Sequence, residues 1–192
     1  MKKILSVLAI MLAVVVQASA QQKFEGFSIT YKGEYVSSDG KNYIIYPFEG
    51  KTAKEIYTMI CTNVAKVYNS PHTVMSTVDD ASVAIHAYSD GLFYQTSYLG
   101  IKFFYEGKYN LLIEIRDGRV KVHAPTFGMQ TGQSEVGRGP KSAERILSSF
   151  FDSNGKVKRK RSVWKTWAEQ KINGIYEILL GLGVADSKDN DW

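Results

Sequence analysis

A chain of 192 residues with 44% hydrophobic and 22% charged residues has the composition of one globular domain rather than of a disordered or repetitive polymer. Its formal charge of +5 is a mild excess, short of the strong basic bias that marks a nucleic-acid binder, so nucleic acid is not an expected partner. Cys61 is the one cysteine, which excludes an intrachain disulfide, a zinc knuckle and a paired-thiol redox site.

Lys2 and Lys3 precede an apolar run that closes on Ala18-Ser19-Ala20. A charged start, a short apolar middle and small residues at a cut are what export and signal peptidase require, so residues 1–20 are expected to be a signal peptide cleaved after Ala20. The run is shorter than the roughly 20 residues that cross a bilayer, and a membrane-spanning protein is not expected. Gln21 stands where a bacterial lipoprotein needs cysteine. Cleavage would leave a periplasmic or extracellular chain of formal charge +3, because Lys2 and Lys3 leave with the leader.

Residues 21–41 read as an N-terminal arm with one extended piece, residues 28–36, followed by the turn-like Ser37-Ser38-Asp39-Gly40. Residues 42–184 read as a single domain. It opens on the β-rich run Asn42-Tyr43-Ile44-Ile45-Tyr46-Pro47-Phe48, whose proline marks a strand end or an edge. Thr52 and Glu55 have capping-box spacing, and the stripe Ile56, Ile60, Val64 and Val67 predicts a helix that stops at Ser70-Pro71. Cys61 lies beside this stripe and reads as a buried small apolar residue.

From residue 73 to 125 the apolar period changes to two, which predicts an antiparallel meander of four or five strands. Asp117-Gly118 is a strong hairpin signal because a two-residue turn needs positive φ. That register sets Ile115 against Val120, Ile113 against Val122 and Leu111 against Ala124 on an apolar face. Opposite them it sets Glu114 against Lys121 and Leu112 against His123. A second hairpin is expected around Asp90-Gly91, with Ala87 against Tyr94 and Ile85 against Thr96 inside, and Tyr88 against Phe93 and His86 against Gln95 outside. Residues 126–140, with four glycines, read as a flexible loop. A short helix over residues 142–152 follows, then a basic stretch and a helix striped by Trp164, Trp167, Ala168, Ile172, Ile175, Leu179 and Leu182, ended by Gly183. Residues 185–192 read as a polar tail.

The segment Tyr109-Asn110-Leu111-Leu112-Ile113-Glu114-Ile115-Arg116-Asp117-Gly118-Arg119 resembles the Y-x-L-x-I-x-x-(K/R)-D-G-R hairpin of a secreted bacterial family, mostly from Bacteroidota, described as a domain of unknown function with a TBP-like fold. The resemblance spans about residues 42–125. It implies an α+β, TBP-like fold, an antiparallel sheet with helices packed on one face, and an exported protein. It implies no catalytic residues, and the basic, tryptophan-bearing C-terminal segment lies outside it.

The mixed sheet face supplies the candidate binding residues: His86, Tyr88, Phe93, Gln95, Leu112, Glu114, Lys121 and His123. Uncovered, they form a shallow platform for a partner; covered by the arm or by residues 126–140, they become a second small core. His86 and His123 have acid–base and metal-binding chemistry, but two histidines without a matching ligand set do not make a zinc site, and no metal or cofactor is expected. Gly132 to Ser142 fails as a phosphate loop because Arg138 follows Gly137 and Pro140 lacks an N–H. Lys156, Lys158, Arg159, Lys160, Arg161 and Lys165 form a basic segment beside Trp164 and Trp167, which could seat anions or lipid headgroups, or could be a solvated helix start with indoles inside. The expected function is a non-catalytic, exported binding protein whose partner is a protein or envelope polymer. The alternatives are a hydrolase using His86 or His123 with Glu114, and a binder of anionic polymer or membrane surface through residues 156–165.

Overall fold

The computed structural model describes residues 24–96, 100–132 and 140–182. The expected signal peptide, its cleavage site, the polar tail and most of the phosphate-loop-like segment lie outside these residues. The elements are β1 (Ser28–Ile29), β2 (Tyr35–Val36), β3 (Tyr43–Pro47), α1 (Ala53–Val67), α2 (Pro71–Val74), β4 (Met75–Val78), β5 (Ser82–Thr96), β6 (Lys102–Arg116), β7 (Arg119–His123), β8 (Thr126–Gly132), α3 (Ala143–Ser148) and α4 (Ser162–Leu179). The main sheet is antiparallel in the order β3-β7-β6-β5-β4, with β8 also paired to β6.

α1 begins where the capping box predicts. Thr52 Oγ1 accepts from the Glu55 N–H, and the Glu55 carboxylate accepts from the Thr52 N–H at 2.8 Å. Asp117 in the β6–β7 turn accepts a further helix-start N–H, that of Ala53, at 2.7 Å, so the hairpin tip and the helix start hold each other. Ile56, Ile60 and Val64 are fully buried on one face of α1, each removing side-chain surface worth about 1.5–3 kcal/mol from water. The next residue along the stripe edge, Asn63, is also buried and donates to the Leu179 carbonyl at the end of α4.

α4 presents Trp164, Ala168, Ile172, Tyr176 and Leu179 to the core, spaced at three and four residues. Gly181, at φ +67°, ends it, rather than the Gly183 that periodicity favours. Together α1 and α4 cover one face of the sheet, against Val83, Ile85, Leu111, Ile113, Ile115, Val120 and Val122. The Asp117-Gly118 hairpin has the predicted register, with Ile115 opposite Val120, Glu114 opposite Lys121 and Ile113 opposite Val122; Gly118 has φ +70°. The ladder stops there, so the extrapolated pairs Leu112–His123 and Leu111–Ala124 are not ladder partners.

The second expected hairpin does not exist. β5 runs straight through Asp90-Gly91, and neither residue has the positive φ a tight turn requires. Ala87 pairs with Tyr109, Ile85 with Leu111, His86 with Asn110 and Tyr88 with Lys108, all on β6. Asp90, Gly91 and Leu92 form a bulge opposite Glu106, between the pairs Ser89–Gly107 and Phe93–Tyr105. Side chains satisfy its backbone: the Gly91 carbonyl accepts from Trp167 Nε1 at 3.1 Å and the Gly91 N–H donates to Ser89 Oγ. Glycine here serves a bulge, not a turn.

Residues 126–132 are likewise strand, not loop. β7 breaks at Ala124-Pro125, and β8 continues along the same edge of β6, with Phe127 opposite Tyr109 and Gln130 opposite Gly107. Gly107 leaves room for the Gln130 side chain, whose amide donates to the carbonyls of Lys108 and Gly128.

The N-terminal arm is part of the core. Residues 28–36 are not one strand but a small hairpin, β1 against β2, turning through Gly33 at φ +81°. Phe24, Phe27, Ile29 and Tyr35 are buried. α4 grips the arm backbone: Asn173 accepts from the Phe27 N–H and donates to the Phe27 carbonyl, and Glu169 accepts from the Ile29 N–H at 2.7 Å. Gly26 passes so close to Asn173 that a Cβ there would overlap its amide. The Tyr35 hydroxyl donates to the Ala168 carbonyl, and burial pushes its pKa well above the ordinary phenol value.

Candidate functional site: a groove on the uncovered sheet face

Strand alternation sends the even-numbered side chains of β5 before its bulge, those of β6 from Asn110 onward, and the odd-numbered ones of β3 and β7 away from α1 and α4. On this second face Ile45, Val78, Tyr88 and Leu112 are exposed, and among the described residues no helix packs over them. The arm runs along one side of it, from Gly33 to Tyr43, so platform and arm together make a groove of about 1050 Å³. Its sheet wall holds Ala84, His86, Asn110, Leu112, His123 and Thr126, the ladder partner of Asn110, and its other lining residues include those of the arm together with Glu144. The arm therefore neither leaves the face open nor buries it as a second core.

Of the residues predicted for this face, His86, Leu112 and His123 line the groove. Glu114 and Lys121 line a smaller neighbouring cavity of about 290 Å³. Tyr88 is exposed farther along β5. Phe93 is not on the platform at all: it is fully buried, edge-on to Phe127, with Leu92 and Tyr94 buried beside it. The bulge shifts the register there, and both faces of this end of β5 are covered. Gln95 is taken into the same region, accepting from the Tyr105 hydroxyl and donating to Ser149 Oγ.

The groove side chains are held by two polar clusters. His86 Nδ1 lies 2.7 Å from Asn110 Oδ1, and Asn110 Nδ2 donates to Thr126 Oγ1. His123 Nε2 lies 2.5 Å from Glu114 Oε1, and Lys121 Nζ lies 3.6 Å from the same oxygen. The hydrogen bond to His123, with help from Lys121, holds the Glu114 carboxyl below its usual pKa. From the core side the Tyr176 hydroxyl donates to the His123 carbonyl at 2.7 Å, so α4 fixes the backbone that carries the imidazole. Lys121 and Lys41 both lie over the Tyr43 ring, at 4.8 and 5.7 Å from its centroid. Lys41 also pairs with Asp39 at 2.6 Å, which lowers the Asp39 pKa to about 2. Neither histidine is hydrogen-bonded to a serine or cysteine, and among the described residues no group of three His, Cys, Asp or Glu side chains could hold a metal ion.

The basic segment divides. Lys158 and Arg161 both donate to the Ser149 carbonyl at the end of α3, and Lys165 pairs with Glu169. Lys158 and Arg161 thus serve the C-terminal end of α3, where positive charge is favourable, while Lys165, in the first turn of α4, is compensated by Glu169 one turn on. Lys156, Arg159 and Lys160 remain exposed. The indoles face inward: Trp164 donates to Thr96 Oγ1 and Trp167 meets Tyr94 edge to face at 5.4 Å. Cys61 is half-buried rather than buried, and partial burial raises its thiol pKa.

Sequence reasoning missed Asn110, Thr126, Lys41, Tyr43 and Glu144 as groove residues. Alternation places Asn110 on the Leu112 face and was a usable signal. Nothing local indicates that the arm returns to face His86.

No family model matches the chain, and no curated protein is similar to it in sequence. Two solved structures are similar in fold. One is a DUF4468 family protein from Bacteroides ovatus, with TM-score 0.55 and 12% identity over 82% of this chain and 91% of that one. The other is a TBP-like protein from Parabacteroides distasonis, with TM-score 0.53 and 13% identity over 73% and 89%. No helix among the described residues is long and apolar enough to cross a membrane. The hairpin resemblance and these two likenesses agree: the chain carries the TBP-like α+β fold of Bacteroidota domains of unknown function, an antiparallel sheet with helices packed on it.

Proposed function

We propose that the protein is an exported, non-catalytic binding protein that takes an extended segment of an envelope polymer into the groove between its arm and its sheet face. The observation that carries this reading is the groove itself, at about 1050 Å³ and lined by side chains already ordered by one another. That volume exceeds what a lone small ligand usually fills, and its mixture of aromatic, amide and imidazole groups suits a ligand that is polar along its length. Each histidine is engaged as a structural partner, His86 by Asn110 and His123 by Glu114, which favours recognition over proton transfer to a nucleophile. The leader motif at residues 1–20 supplies the compartment in which such a polymer is met.

Two measurements test this. Cell fractionation with intact-mass analysis should find the protein outside the cytoplasm with Gln21 at its N-terminus; retention of residues 1–20 in the cytoplasm would remove the export half. Equilibrium binding to purified envelope polysaccharide should be weakened at least about tenfold by Leu112→Asp, which places a charge on the groove floor without touching the core. Equal binding by both proteins would remove the groove.

A further inference from the structure

The hairpin tip beyond the groove carries an electrostatic imbalance. Arg116 and Arg119 are direct cross-strand partners on the uncovered face, and both are exposed. Like charges placed opposite each other in a sheet are destabilising unless something compensates them. Neither arginine has a carboxylate partner among the described residues. The nearest acid in sequence, Asp117, is occupied by the Ala53 N–H. Glu114, on the same face, is already shared by His123 and Lys121. A cavity of about 290 Å³ lies against these side chains, lined by Arg116, Arg119, Lys121 and one carboxylate, with Tyr43 and the exposed Ile45 as its apolar floor.

We infer that the Arg116–Arg119 pair is an oxyanion-binding site, which receives a carboxylate or phosphate carried by the ligand in the adjoining groove. Two guanidinium groups carried by directly opposed residues on one cavity offer planar forks suited to an oxyanion in paired hydrogen bonds, and one bound anion cancels the repulsion between them. Tyr43 lines both cavities, and the His123–Glu114 hydrogen bond bridges from one to the other, so a ligand lying along β7 passes from groove to arginines without leaving the surface. The inference rests on the groove reading for the body of the ligand, while the anion site itself stands on the arginine pair alone. The ligand class is an acidic polymer segment, recognised by its charged substituent.

The test is a titration of the purified protein with three probes, inorganic phosphate, acetate and an oligogalacturonate, read from the backbone amide signals of Arg116, Gly118 and Arg119. Saturable shifts are expected with at least one of the two small anions, and which of them binds more tightly identifies the substituent. R116Q and R119Q should each weaken that binding by roughly tenfold or more, as loss of a charge-assisted contact does. Without anion, the same variants should unfold at the same or a slightly higher temperature than wild type, since each removes one of two opposed charges; with anion, wild type should gain thermal stability that the variants do not. Absence of saturable shifts with both small anions, or equal binding by wild type and both variants, overturns the site. Small-anion binding with no response to oligogalacturonate keeps the site and counts against the groove as the seat of an acidic polymer. Oligogalacturonate binding lost in Leu112→Asp but intact in both arginine variants keeps the groove and overturns the anion site.

Discussion

β6 carries two different proteins on its two faces. Its odd-numbered residues Tyr109, Leu111, Ile113 and Ile115 are buried against α1 and α4, where packing is dense and hydrogen bonds are few. Its even-numbered residues Asn110, Leu112, Glu114 and Arg116 stand on a face that none of the described helices covers, and all except Leu112 are polar or charged. The backbone spacing is the same on both sides. On the inner face a side chain contributes by leaving water, so its worth scales with apolar area; on the outer face it contributes through pairwise polar contacts screened by solvent, so its worth to stability is small. If the proposed function holds, stability and recognition are separable on a single strand, one residue apart.

The sharpest break of this separation is Ile113→Ala. Ile113 is fully buried, so removing most of its side chain leaves a cavity and should cost about 2–5 kcal/mol in chemical denaturation. A loss below about 1 kcal/mol would mean the inner face is not packed as described. Gly33→Ala should come next, costing upward of about 1 kcal/mol, because φ is +81° and a Cβ would sit 2.3 Å from the Glu144 carbonyl oxygen. Gly33 and Glu144 both line the groove, so this change should also disturb its mouth, visible as shifts in the amide signals of Glu34 and Glu144.

Asn173→Ala tests whether the arm belongs to the inner layer. It removes both hydrogen bonds to Phe27 and should cost about 1–3 kcal/mol, with faster hydrogen exchange at the Phe27 amide. Leu112→Ala is the mirror of Ile113→Ala: within about 0.5 kcal/mol of wild type in stability, with its effect confined to binding.

The smallest expected effect is electrostatic. Glu114 titrates below its ordinary value in the folded chain, so its contribution is fully present above the unfolded carboxyl pKa of about 4.3. It is lost as pH falls through the lower folded value. Glu114→Gln should therefore flatten the stability profile slightly on its acid limb and leave the profile above pH 5 to 6 nearly unchanged in shape, apart from a small offset. Its 41% side-chain exposure keeps the effect modest through solvent screening. A loss of stability that persists only above neutral pH would contradict the Glu114–His123 and Glu114–Lys121 assignments.

Much of the architecture was legible because the signals are local. A threonine and a glutamate three apart satisfy each other's backbone donors whatever the rest of the chain does, and α1 starts there. Asp117-Gly118 supplies the positive φ of a tight turn, and its hairpin has the expected register. The same dipeptide at Asp90-Gly91 misleads for a physical reason. A tight turn there would close a short ladder, whereas running on lets β5 pair with β6 on both sides of a bulge whose free groups Trp167 and Ser89 satisfy. That choice depends on a tryptophan 76 residues away.

The candidate site divides along the same line. Alternation alone sets His86, Leu112, Glu114, Lys121 and His123 on one face, because side-chain direction reverses at every strand residue. It misplaces Phe93 and Gln95, which lie beyond the bulge. The arm as a groove wall, β8 as a continuation of β7, and the lack, among the described residues, of a carboxylate paired with Arg116 or Arg119 were decided only by tertiary contacts. Local chemistry is set by neighbours within a turn or a strand pair, which the order of residues contains; a groove and an uncompensated charge are defined by which distant groups come close and which do not, and only the folded chain determines that.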